Sequence, residues 1–148
     1  MSADNLTRTQ RDDLRTIAAM IVPASEEYKV PGADDPAIQA DMLATLGRDT
    51  KLVAAALDHL ARLAGAPLAE LDAARRDAVA QGFRTSGGVA AATLARVVLQ
   101  CYYRDDRVLR ALGIELRAPF PKGYVLPDGD WSLLDPVKAR GGSLRRAP

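Results

Sequence analysis

Apolar residues recur along this chain at helical spacing through residue 113, and turn formers punctuate them. Leu14, Ile17, Ala18 and Ile21 fall on one face of a first helix. Its predicted start is near Thr9, with Asp12 three residues on as a loose capping arrangement, and Pro23 ends it. The next dozen residues, through Glu26, Tyr28, Pro31 and Gly32, read as an ordered loop. Asp35 followed by Pro36 is a strong helix start, an N-cap and then proline in the first turn. Ile38, Met42 and Leu46 line that second helix, and Gly47 stops it. A third helix over about 49–64 carries Leu52, Val53, Ala56, Leu57, Leu60 and Leu63, and Gly65 closes it. Pro67 opens a fourth through Leu68, Leu71, Ala74, Ala78 and Val79, fraying near Gly82. Ser86-Gly87-Gly88 is a turn with a candidate N-cap. The fifth helix, over about 89–104, is apolar around most of its circumference, which predicts a central place in a bundle. A short sixth helix from Asp105 or Asp106 carries Val108, Leu109 and Leu112 before Gly113.

Composition agrees with this periodicity. The chain has 148 residues, 27 of them alanine and 19 leucine, while aromatics make up 5%. Small alanine faces let helix axes approach closely, so the predicted fold is all-α, a compact bundle of five to six helices over 1–113. Residues 114–148 differ, holding five of the nine prolines and three of the seven aromatics. Prolines at this density favour an extended C-terminal arm, part of the same domain. The arm either wraps the bundle and packs Phe120, Tyr124 and Trp131 on the parent core, or docks on another chain. Large aromatics recur as interface anchors because they bury much area at modest entropic cost.

Charge narrows the partners. Twenty basic residues against nineteen acidic ones leave +1, so no strong field attracts nucleic acid or anionic lipid. No apolar run approaches the roughly 20 residues that span a bilayer. The opening MSADNLTRTQRDDLR is polar, so neither a secretory signal nor a twin-arginine leader is expected, and the chain is cytoplasmic as synthesised.

Candidate chemistry is sparse. His59 is the only histidine and sits in the third helix beside Asp58, without a second histidine for a metal site. Cys101 is the only cysteine, which excludes an internal disulfide, and its apolar helix disfavours a thiolate. Asp105 and Asp106 point apart on a helix, so one of them is read as a cap rather than as half of a carboxylate pair. Ser86-Gly87-Gly88 matches no phosphate-binding motif. No catalytic, cofactor-binding or metal residue is assigned.

Three blocks carry a family resemblance: LRTIAAMIVPASEEYKVPGADDP near the start, CYYRDDRVLRALGIELRAPFPKGY late, then DWSLLDPV. In this order, over roughly residues 10 to 138, the chain resembles the gluconate 2-dehydrogenase subunit 3 family. These are the small subunits of FAD-dependent, GMC-type sugar and polyol dehydrogenase complexes. The resemblance implies a noncatalytic subunit that stabilises, matures or helps export its large partner. FAD and the chemistry belong to that partner, and a cytochrome c subunit joins some complexes. Many members carry a twin-arginine signal, which this sequence departs from; either the chain is co-exported to the periplasm with a signal-bearing partner or its complex works in the cytoplasm. The expected partner interface is Arg107, Phe120, Lys122, Tyr124 and Trp131. The competing reading is a freestanding helical binding or regulatory module.

Overall fold

The computed structural model of the chain describes residues 6–116 and 129–141. Regular structure among them is helical, apart from one isolated antiparallel bridge between Ser25 and Val30. The chain divides into two compact units, Met1–Leu116 and Arg117–Pro148.

In the first unit, α1 (Arg8–Ile21) opens earlier than apolar spacing suggests. Thr7 and Gln10, not Thr9 and Asp12, form the capping box. The Gln10 N–H donates to Thr7 Oγ1 at 3.2 Å, and the Thr7 N–H to Gln10 Oε1 at 2.9 Å. The loop after it is ordered as expected: the Ala33 N–H returns to the Val22 carbonyl at 2.9 Å, and Ala33 is fully buried. Asp35 caps α2 (Pro36–Thr45), and a 3-10 turn over Gly47–Asp49 leads into α3 (Thr50–Ala64). Gly65 ends α3 in the left-handed conformation, φ 71°, which a residue without a Cβ adopts at little cost.

The fourth helix departs from expectation at both ends. Pro67 opens only a 3-10 turn, Leu68–Glu70, and Leu71 is extended. Asp72 then caps α4 (Ala73–Ser86) by accepting the Arg75 N–H at 2.8 Å. The helix passes through Gly82 to Ser86. A mid-helix glycine costs roughly 1 kcal/mol, less than burying Val79 and Phe83 on either side contributes. Ser86 is therefore the last residue of α4 and caps nothing. Gly87 separates it from α5 (Gly88–Tyr102), and α6 (Asp106–Ala111) follows with Asp105 as its cap.

The core is built on α3 and α5, which make the most extensive helix pairing of the bundle. They run antiparallel: Asp49 just ahead of α3 pairs with Arg96 midway along α5, while His59 further along α3 lies beside Ser86 just ahead of α5. Val53, Ala56, Leu57 and Leu60 of α3 are buried with Leu94, Val97, Val98 and Cys101 of α5. Leu14, Ile17, Ile38 and Met42 complete the cluster from α1 and α2. The stretch Gly47–Glu70 is, by length and composition alone, apolar enough to cross a membrane, although it contains no uninterrupted apolar run of that length. Its apolar stripe is nevertheless spent on the bundle core, and Asp58 on its outer side accepts a hydrogen bond from Gln10 Nε2 at 2.9 Å. Asp13 pins α1 to the 3-10 turn by accepting the Leu68 N–H at 3.0 Å. Only 4% of Asp13 is exposed, and burial pushes its carboxyl above the usual range.

In the second unit, Asp130 caps a 3-10 turn over Trp131–Leu134 that runs into α7 (Asp135–Ala139). Residues 131–139 are thus helical where proline density favours extended chain. Pro136 sits in the first turn of α7, where a missing N–H costs nothing.

Two glycines near the end of α4 have opposite expectations. A Cβ at Gly82 meets only Leu63 Cδ1 at 3.9 Å, whereas one at Gly87 collides with the Ala91 Cβ and falls 2.7 Å from the Phe83 carbonyl oxygen. Gly82→Ala is therefore expected to raise unfolding free energy by about 0.5–1 kcal/mol. Gly87→Ala is expected to lower it by about 1–3 kcal/mol. Urea midpoints of the two variants check both signs.

Candidate partner interface

Of the five expected interface residues, Arg107 and Trp131 are described; Phe120, Lys122 and Tyr124 lie outside the described residues. Arg107 lies in the first turn of α6, and its guanidinium is committed within its own unit. Nη1 and Nη2 donate to Asp35 Oδ2 and Oδ1 at 3.0 and 2.8 Å, while Nε and Nη2 donate to Asp105 Oδ1 and Oδ2 at 3.0 and 2.9 Å. Both carboxylates are helix caps. Asp35 Oδ1 accepts the Ala37 N–H at 2.9 Å, and Asp105 Oδ1 accepts the Arg107 N–H at 2.9 Å. One fork thus joins the starts of α2 and α6. The Arg107 hydrogen bonds hold the Asp35 carboxyl down to about 2 and also lower Asp105, while those two carboxylates raise Arg107. Arg107 thereby ties the start of α6 to the start of α2.

Two further arginines repeat the arrangement. Arg104 hydrogen-bonds Asp41 and reaches Thr45 Oγ1 at 3.2 Å, and Arg96 meets Asp49 at 2.7 Å. Residues 35–49 therefore run antiparallel to 96–107 with an arginine–aspartate rung at each step. Beneath Arg104, Cys101 is buried, with its Sγ 3.6 Å from Thr45 Oγ1; burial pushes its thiol up, away from the thiolate.

Trp131 lies in the second unit and is 71% exposed. Leu133, Leu134 and Val137 are exposed with it. The turn that carries them is ordered by its own polar contacts: Asp130 Oδ1 accepts from the Ser132 N–H at 3.0 Å and from Ser132 Oγ at 2.6 Å. Four large apolar side chains within seven residues thus stand in solvent on a capped helical turn.

His59 has a partner that sequence spacing did not reveal. Its Nε2 lies 2.8 Å from Ser86 Oγ, and its ring sits 5.9 Å from that of Phe83. The resemblance to a serine–histidine pair ends at the protons. Ser86 Oγ donates to the Gly82 carbonyl at 2.8 Å, so Nε2 is assigned as donor to Ser86. Behind the ring, Arg62 Nη2 approaches Nδ1 at 3.4 Å as a donor, where a carboxylate acceptor would be needed to leave Nε2 free as a base. The pair is a tie between α3 and α4. Among the described residues no group of three His, Cys, Asp or Glu is placed to hold a metal ion.

No family model matches the chain, and no curated protein or solved structure matches it.

The Asp35–Arg107 pair carries a pH dependence with a definite sign. Unfolded Asp35 titrates near 3.8 and folded Asp35 near 2, so its contribution is full above about pH 4 and is lost as pH falls towards 2. Arg107→Met is expected to cost about 1 kcal/mol at pH 6. That cost shrinks on acidification, as denaturation midpoints at pH 6, 4 and 2.5 would show; a cost independent of pH would mean that packing, not the ion pair, is lost.

Proposed function

We propose that this chain is the noncatalytic small subunit of an FAD-dependent, GMC-type sugar or polyol dehydrogenase complex. It stabilises, matures or helps export the large flavoprotein, with oxidation and FAD in that partner and, in some complexes, a cytochrome c subunit taking the electrons. The observation that carries this reading is the exposed run Trp131, Leu133, Leu134 and Val137 on a turn already ordered by Asp130. Large apolar side chains exposed together on a capped turn suit a contact surface, because ordering the turn costs less when the partner arrives. The same residues form the DWSLLDPV block through which the chain resembles the subunit 3 family. The arginine–aspartate rungs fit the role, since they fasten the bundle without consuming this surface.

Co-expression with the neighbouring genes on its chromosome is expected to recover a much larger, yellow polypeptide bound to this chain, which is colourless alone. Trp131→Ala is expected to weaken that complex by on the order of 2 kcal/mol, about 30-fold in Kd, with the melting of the isolated chain unchanged. A lower melting temperature with unchanged affinity would return Trp131 to the parent fold. A stable chain that recovers no flavoprotein would leave the freestanding binding module as the reading.

A further inference from the structure

Where α1, α4 and α5 diverge, they leave an open groove of about 770 Å³ on the first unit. Ile17, Phe83 and Leu94, each at most 6% exposed, close its floor, so the groove lies outside an intact core. Ala91, Ala92 and Ala95 of α5 line one wall with nothing larger than a methyl group, and Met20 of α1 lends an adaptable side chain opposite. The edge formed by α4 is polar and ordered along its axis. Asp77, Gln81 and Arg84 succeed one another at i, i+4 and i+7, so the acid and the base stand about 10 Å apart along one lane. Gln81 Oε1 accepts from Arg84 Nη2 at 2.8 Å and holds the guanidinium at its end of the groove. Asp77 makes no side-chain hydrogen bond or ion pair among the described residues.

We infer that this groove docks an amphipathic α-helix of a partner protein. The helix has an apolar stripe flanked by a basic and an acidic residue two turns apart, opposite Asp77 and Arg84. The alanine wall admits a helix at close interaxial distance, and the two edge charges match the two-turn repeat of a helix. An apolar anion would satisfy Arg84 alone and would leave Asp77 facing it. The inference is independent of the flavoprotein reading and is tested on this chain by itself.

Three designed helical peptides of about 18 residues, with one leucine stripe and Lys/Glu, Lys/Lys or Glu/Glu at i and i+7, serve as probes. Titrations followed by amide chemical shifts are expected to place the Lys/Glu peptide on Ala80, Ala91 and Ala95. It should bind about threefold tighter than either like-charged peptide. In Arg84→Glu, whose edge is wholly acidic, the Lys/Lys peptide should become the tightest. Ala92→Phe, at an exposed wall position, should weaken all three at least tenfold with an unchanged melting temperature. No binding, shifts mapping elsewhere, an order of affinities indifferent to Arg84→Glu, or a dimer of this chain seated in the groove would each overturn the proposal.

Discussion

The antiparallel seating of α3 on α5 is the constraint from which the rest of the bundle follows. Each helix buries a stripe of branched aliphatic residues, Val53, Leu57 and Leu60 on one and Leu94, Val97 and Val98 on the other. Each such side chain contributes roughly 1.5–3 kcal/mol on leaving water. No other helix pair in the bundle is as extensive, and α1, α2 and α4 each pack against one or both members of this pair. Polar ties then set the order of the elements on it: Asp13 to Leu68, Asp58 to Gln10, and His59 to Ser86. None of these is strong alone, but each favours one docking register over its neighbours.

The arginine–aspartate rungs act at the other end of the same seam. Arg96, Arg104 and Arg107 meet Asp49, Asp41 and Asp35, so the order of the arginines is the reverse of the order of the acids. Isolated surface pairs contribute little, because solvent screening and side-chain entropy offset the attraction. The Arg107 rung differs in that each of its carboxylates already caps a helix. The carboxylates are therefore held in place before the guanidinium arrives, and less entropy is lost on pairing. A lysine here would keep the charge and lose the planar fork that reaches two carboxylates at once.

What was legible in the sequence is what is local. Asp35 before Pro36 and Gly65 after a leucine stripe each act within four residues and stand where periodicity and capping chemistry place them, and of the two adjacent acids left open for α6 it is Asp105 that caps. Competition between nearby signals was not legible. Pro67 and Asp72 both suit a helix start, and only Asp72 finds an N–H donor three residues on while Leu71 is extended. Apolar spacing points to Thr9 rather than Thr7, because the capping glutamine lies before the apolar stripe begins. Long-range pairings left no trace at all. Arg107 invites a docking role when read as a free cation, and of its two carboxylate partners Asp35 is 72 residues away. Phe120, Lys122 and Tyr124 lie outside the described residues, so the candidate interface rests on Trp131 and its apolar neighbours.

The abundance of alanine has two consequences that pull in opposite directions. Where two helices face each other, as at Ala56 and Ala64 of α3, small side chains let the axes close and the core fill. Where three helices diverge, the same residue type has no volume to span the gap, and Ala80, Ala91 and Ala95 leave open what a leucine in their place would fill. A chain under pressure only to be stable would gain from larger side chains there, since filling an apolar recess at an otherwise closed core is among the cheaper routes to extra stability. Ile17, Phe83 and Leu94 in the floor are buried, so the recess lies outside the core. Its alanine wall and its charged edge belong together as features of a surface shaped to be covered.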